Sequence, residues 1–359
     1  MVNILIGGEK MKKIIVALTA LSMLLSMAAC SSGSSNAASS AAASESASSA
    51  AAVSSAVAAS GAQASNSGKT VDVSKLTIAY VPTTMNNPFW SAMMSGIKKE
   101  MTAKGMDPSK QLVTVDAESD QTKMNNDIYD LINQKVSAII MAPMDCTACT
   151  EALQACADAK IPVINVDTPV DRTDLVVSVI ASDNYNAGVQ CAKDMMGKLS
   201  KGSKIYIMDQ PSGTACKQRE KGFKDTIGSY FKIDGTSDTE GDTAKSLSAA
   251  EDAITADKDL SAFFCINDMG ALGCVQACAA AKKSNVLIYG VDGNPGFMSY
   301  ISKGAATATA AQQPSVVGAD AIDTVISHLS GANVNKNIVV PVELISKSNL
   351  AKFDITKWQ

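Results

Sequence analysis

From residue 76 to residue 345, short unbroken apolar runs take turns with longer stretches whose apolar residues recur every three or four positions. Leu76-Thr77-Ile78-Ala79-Tyr80-Val81 has the form of a strand buried on both faces, as in a parallel sheet. After it, Phe89, Met93, Ile97 and Met101 stand four apart, a helical stripe. Strands are expected over 111–115, 138–142, 162–166 and 175–181, with one helix carrying Met124, Ile128, Leu131, Ile132 and Val136 and another over 147–159. The alternation starts again near residue 183. Helices are expected over 186–199, 217–230, 243–256, 270–282, 295–302 and 314–329. Between them lie strands 204–209, 232–236, 261–266, 286–291, 305–311 and 337–345. Consecutive βα units enforce right-handed crossovers and parallel strands. The pattern is too long for one open sheet, and its restart predicts two similar α/β lobes with a cleft between them.

Six segments stand where an expected strand gives way to a loop, the end at which open α/β sheets bind ligands. They are Thr83-Thr84-Met85-Asn86-Asn87-Pro88-Phe89-Trp90, Asp167-Thr168, Lys217-Gln218-Arg219, Asn267-Asp268, Asp292-Gly293 and Ala311-Gln312-Gln313. Paired aromatics beside carboxylates and amides suit a polyhydroxylated ring: its C–H face packs on flat rings and its hydroxyls reach the polar groups. Asp167 and Asp292 can each accept two hydroxyl hydrogen bonds, and charged acceptors are the strong ones. Both also suit helix capping, and Phe89 also suits the helix core. Asn87, Asn267 and Gln312 carry donor and acceptor together. Residue types alone leave a glycosidase-like carboxylate pair open, should Asp167 and Asp292 face each other. No metal site is expected: the acidic loop 238–242 lacks EF-hand spacing, and the single histidine, His328, falls at a helix end as a structural residue.

Five motifs, four of them overlapping these segments, occur in a fixed order: Asn86-Asn87-Pro88-Phe89, Ile180-Ala181-Ser182-Asp183-Asn184, Asn267-Asp268, Gly290-Val291-Asp292-Gly293 and Ala311-Gln312-Gln313-Pro314. In that order they resemble the periplasmic binding protein family of the ribose-binding type, the solute receptors of sugar ABC importers. The resemblance implies the type I fold, two Rossmann-like lobes of parallel sheets flanked by helices and joined by three crossings, near Asp183, Gln312 and Glu343. The lobes would comprise residues 75–182 with 313–342, and 183–312 with 343–359. It implies a monomer without cofactor or catalysis. Such a protein holds a pentose, hexose or related polyol between its lobes and hands it to ABC permease subunits. A sensory receptor for a sugar or an autoinducer-type compound, signalling to a membrane partner, is the alternative. The implied ligand-binding residues are Thr83, Asn87, Phe89, Trp90, Asp167, Thr168, Lys217, Asn267, Asp292 and Gln312. Two departures put ribose itself in doubt. The ribose receptor has arginines where this chain has Thr168 and Lys217, and neither replaces a planar bidentate donor. The family's third stacking phenylalanine falls near Glu240-Gly241, which offers no ring.

Before the alternating region the chain carries an export signal. Met11-Lys12-Lys13 precedes the apolar run Ile14 to Ala29, too short for a comfortable membrane span. Ser26-Met27-Ala28-Ala29-Cys30 resembles the lipobox of bacterial lipoproteins, which makes Cys30 the expected lipidation site and membrane anchor. Residues 1–10 do not fit that signal, and translation is expected to start at Met11. From Ser31 to about Thr70 the chain is almost wholly serine and alanine, a disordered tether with a reach of about 35 Å. The expected location is the outer face of the cell membrane, on a Gram-positive surface. A net charge of −4 without any basic run argues against nucleic acid. Eight cysteines remain besides Cys30, most inside apolar helix or strand patterns, where a free thiol serves as a small hydrophobe. Cys146-Thr147-Ala148-Cys149 has redox-motif spacing, but a plain strand-to-helix loop is favoured there.

Overall fold

A computed structural model of the protein describes residues 70–359. The export signal, Cys30 and the serine/alanine segment through residue 69 lie outside the described residues.

The apolar runs assemble into two sheets of six strands. In the first, β1 (Ile78–Val81) is flanked by β2 (Leu112–Thr114) and β3 (Ala138–Met141). β4 (Val163–Val166), β5 (Ser178–Ser182) and β11 (Asn337–Val340) follow outward, every pair parallel. The second repeats the order with β6 (Lys204–Asp209) flanked by β7 (Lys232–Asp238) and β8 (Leu260–Cys265). β9 (Leu287–Asp292), β10 (Ala308–Ala311) and β12 (Glu343–Ser346) complete it. Here one pair departs from the pattern: β12 runs antiparallel to β10. β1, β3, β4 and β5 are buried along their whole length, as strands covered by helices on both faces must be.

The helices are α1 (Pro88–Ala103), α2 (Pro108–Gln111), α3 (Gln121–Asn133), α4 (Thr150–Asp158) and α5 (Asn184–Met196). After them come α6 (Thr214–Ile227), α7 (Thr243–Ala256), α8 (Asp268–Ala280), α9 (Pro295–Lys303) and α10 (Pro314–Leu329). Each lobe therefore has two apolar layers, one on each face of its sheet. Met93, Ile97, Val317 and Ile322 cover one side of the first sheet; Ile128, Leu131, Leu153 and Cys156 cover the other. All eight cysteines of the described residues are buried and free, with the Cys265 and Cys274 sulfurs 3.5 Å apart.

Four differences from the sequence expectation have local causes. The single strand expected over 337–345 is broken at Pro341-Val342, where the chain leaves the first sheet and enters the second. Pro341 has no N–H for a ladder, so the break falls where pairing is lost anyway. The helix expected over 147–159 begins at Thr150, because the Asp145 carboxylate accepts the Thr147 and Ala148 amides and holds a turn there. The helix expected over 217–230 begins three residues earlier, at Thr214. The four-residue α2 is too short to show a periodicity.

Chain passages between the sheets fall between β5 and α5, between β10 and α10, and between β11 and β12. A fourth follows β12. Phe353 and Ile355 pack on Met298, Ala311 and Ile345 of the second lobe, but Trp358 lies against the apolar core of the first.

Two helix pairs are drawn close by glycine. A methyl group added at Gly222 would lie 2.0 Å from the Tyr185 carbonyl oxygen of α5, and one at Gly188 would lie 2.0 Å from the Arg219 carbonyl of α6. In the first lobe Gly96 and Gly318 play the same part for α1 and α10, at 2.1 Å from the Ser315 carbonyl and 2.3 Å from the Met93 carbonyl. These carbonyls belong to helix backbone and cannot swing aside. Gly222→Ala is expected to destabilise the protein by about 1–3 kcal/mol, the usual cost of overpacking, read as a lowered denaturant midpoint. An unchanged midpoint would show that α5 and α6 can part freely.

Candidate functional site

Between the carboxyl ends of the two sheets lies a cavity of about 390 Å³, lined by residues of both lobes. Nine of the ten residues singled out from the sequence line it: Thr83, Asn87, Phe89, Trp90, Asp167, Thr168, Asn267, Asp292 and Gln312.

The aromatic wall stands at the start of α1. Asn87 caps this helix by accepting the Phe89 amide at 3.0 Å, and Pro88 occupies its first turn. The cap commits the Asn87 oxygen, so its amide donors are what it has to offer a solute. Phe89 and Trp90 meet edge to face, with ring centroids 5.0 Å apart and planes at 90°. Both are buried in the first lobe's core and also line the cavity, so the core and cavity roles of Phe89 coexist.

The two aspartates leave their strands in unusual backbone conformations. Asp167 has φ +61° and Asp292 has φ +146°. Such values in a non-glycine residue cost about 1–3 kcal/mol and concentrate at functional sites. Neither side chain caps a helix: the cap of α9 is Asn294, which accepts the Gly296 and Phe297 amides. The Asp167 carboxylate accepts the Thr168 hydroxyl at 2.9 Å. Burial pushes its pKa up, opposed by the Arg219 guanidinium and by that hydroxyl. Asp292 accepts the Gln312 amide at 2.6 Å and the Asp268 backbone N–H at 3.4 Å. Burial raises its pKa to about 6 against the pull of Arg219. Behind it Asp268 is wholly buried, and burial beside the Asp292 charge drives its carboxyl up as well.

The tenth residue, Lys217, is exposed and absent from the cavity wall. Arg219 is there instead, 4% exposed. The apolar stripe of α6 explains the exchange. With the helix beginning at Thr214, its buried side runs through Ala215, Cys216, Arg219, Gly222 and Phe223. Lys217 lies two residues from Arg219, about 200° around the helix. Arg219 donates Nε to the Asn184 oxygen at 2.7 Å and Nη1 to the Ile266 carbonyl at 2.9 Å, and approaches the Asp292 carboxylate at 3.5 Å. A charged residue in register with the apolar stripe of an amphipathic helix was the available signal for it.

One further participant carried no signal. Asn165 sits mid-strand in β4 with both ends of its amide engaged: it donates to the Thr168 and Met141 carbonyls and accepts the Val170 amide. It thereby fixes the loop that presents Asp167. Asn267 caps α8 through its oxygen and donates to the Gly241 carbonyl, tying the 240–243 loop to the site. Gln312 is 1% exposed and lines the cavity; its side-chain oxygen is buried with no partner among the described residues. Glu240, Gly241 and Asp242 form a polar rather than an aromatic side of the cavity.

Aromatic side chains, buried carboxyls, a fixed guanidinium and side-chain amides equip this cavity to hold a small, neutral, hydroxyl-rich solute by mixed stacking and hydrogen bonding. Among the described residues there is no group of His, Cys, Asp and Glu arranged to hold a metal ion, and no helix long and apolar enough to cross a membrane.

The periplasmic binding protein domain family matches residues 78–333. Over 284 residues, 79% of this chain and 90% of the relative, the sequence is 31% identical to the ribose import binding protein of Bacillus subtilis (strain 168). The fold matches the periplasmic binding protein component of the arabinose ABC transporter from Shewanella sp. ANA-3, solved with α- and β-L-arabinofuranose. The TM-score is 0.72 at 27% identity, covering 77% of this chain and 93% of that one. An ABC transporter solute binding protein from Mycobacterium smegmatis with bound glycerol matches with TM-score 0.71 at 29% identity, over 77% and 96% of the two chains. These relatives are named for binding and import, not for catalysis. The five ordered motifs, the paired sheets of equal strand order and these matches agree: the chain belongs to the periplasmic binding protein family of the ribose-binding type.

Proposed function

We propose that this protein captures a monosaccharide or related polyol in the cleft between its lobes and delivers it to an ABC importer, held at the outer face of the membrane by a lipid on Cys30. The observation that carries the reading is the cavity itself. Asp167 on one lobe and Asp292, Arg219 and Gln312 at the other line a single cavity together with Phe89 and Trp90. Hydroxyls are both donors and acceptors, so a polyol satisfies carboxyls, guanidinium and amide together. The cavity walls come from both lobes, so the solute enters an opened form and the lobes close over it by hinge motion. Related proteins solved with arabinofuranose and with glycerol support a ligand in this size range. The polar Glu240-Gly241 side supports a ligand with more hydroxyl or substituent exposure there than ribose has.

Calorimetry against pentoses, hexoses and linear polyols tests the reading. At least one should saturate the protein with one-to-one stoichiometry; if none does, the reading falls. With the sugar so identified, Asp292→Ala should weaken binding by about 1.5–3 kcal/mol, because ligand hydroxyls lose a charged acceptor inside a closed cavity. Unchanged affinity would remove Asp292 from the site. Trp90→Ala should weaken ring sugars more than linear polyols, by about 0.5–1.5 kcal/mol, since only rings present a continuous C–H face. Equal losses would refute stacking.

The raised carboxyls also set a pH dependence. In the ligand-free protein they hold protons that the unfolded chain has already released, so the native state binds more protons and stability falls as pH rises. For Asp292 the window runs from 3.8 to about 6. Denaturant unfolding of ligand-free protein across this range should show that decline, and Asp292→Asn should flatten it. A slope identical in the variant would show that Asp292 titrates normally.

A further inference from the structure

We propose that Trp358 is a positioning residue for the sugar site, carried to it by a strap formed by residues 347–359. The inference rests on the cleft being a ligand site. The strap is anchored on the second lobe, where Phe353 and Ile355 pack against Met298, Ala311 and Ile345. It then changes lobe. Asp354 closes a turn on itself: its carboxylate accepts the Thr356 amide at 3.1 Å and hydroxyl at 2.6 Å, and pairs with Lys357 at 2.9 Å. Its carbonyl accepts the Lys357 amide at 3.1 Å and the Gln359 side-chain amide at 3.2 Å. The turn fixes the direction in which Trp358 leaves.

Trp358 reaches the first lobe's core and meets Phe89 edge to face, with centroids 5.7 Å apart and planes at 75°. Phe89 thus touches both tryptophans of the protein, Trp90 within the cavity wall and Trp358 from outside it. Trp358 is not part of the cavity lining, so any influence it has on a solute passes through Phe89. It bears on the first turn of α1, the segment that presents Asn87, Phe89 and Trp90 together. Because the strap's other anchor sits beside Ala311, next to Gln312, the aromatic wall of one lobe is mechanically tied to the polar floor of the other. Ring orientation is set by what lies behind the ring, and edge-to-face partners define it more sharply than aliphatic ones.

The test uses the full chain, with Trp358→Ala and Trp358→Phe. Hydrogen exchange of the ligand-free protein should show faster exchange in Trp358→Ala over residues 88–93 and no change over 260–292, with Trp358→Phe close to the parent. Calorimetry with D-ribose, D-allose and L-arabinose should show affinity for whichever saturates the parent falling about two- to tenfold in Trp358→Ala and returning in Trp358→Phe. Parental exchange at 88–93 in Trp358→Ala overturns the proposal. So does parental affinity. So does acceleration spread evenly over both sheets, which would make Trp358 an ordinary core residue. If no sugar binds the parent, the ligand reading fails on its own account while the exchange data still decide whether Trp358 holds the α1 turn.

Discussion

A guanidinium buried under a cleft governs this protein. Arg219 is almost wholly removed from solvent, yet its charge faces carboxyls from both lobes, Asp292 beside it and Asp167 across the cavity. A buried charge of this kind is tolerated only when its donors are matched with geometry good enough to offset desolvation. Asn184 and the Ile266 carbonyl supply that match from within the second lobe. The close α5–α6 contact at Gly188 holds the Arg219 backbone in place. The core packing of the second lobe and the electrostatics of its site are therefore one arrangement. Loosening the helix pair would move the charge.

The aspartates show the complementary cost. Each sits in a backbone conformation that an L-residue rarely adopts, and each carries a pKa raised by burial. Both features disfavour the ligand-free protein. A solute whose hydroxyls donate to these carboxyls returns part of the hydration they have lost. On the proposed function, binding would then be favoured partly because the empty site is strained, a common trade between stability and function.

Much of this was legible in the sequence because parallel α/β folds write themselves in two periods, unbroken apolar runs and four-residue stripes. The strand-end motifs located nine of ten proposed site residues for the same reason: the sheet dictates where its loops converge. The failures are local or long-range. Lys217 was preferred to Arg219 because it was matched to an arginine that stands ahead of the helix in the ribose receptor; α6 begins at Thr214, so both residues lie within the helix, Arg219 on its buried side and Lys217 on its exposed one. Asn165 hides within an apolar strand, where its role depends on carbonyls of two other segments. Trp358 meets Phe89 only because the chain crosses back after β12, and no periodicity near residue 358 announces that. The strand expected over 337–345 ran straight through the crossing that the resemblance implied near Glu343, and it is at that crossing that β11 and β12 divide.

The direction of β12 has a geometric consequence. Every other strand in the second sheet points its carboxyl end at the cleft, but β12 pairs Glu343 with Ala311 and Ser346 with Ala308, so it begins at the cleft and runs away from it. The chain that follows starts about 10 Å further from the cleft and must make up that distance to bring an indole against Phe89. Its length is thereby fixed by the height of the sheet. Adding or removing residues between Ser346 and Trp358 would shift the indole relative to Phe89, a tether whose setting is measured in residues, not in side-chain chemistry.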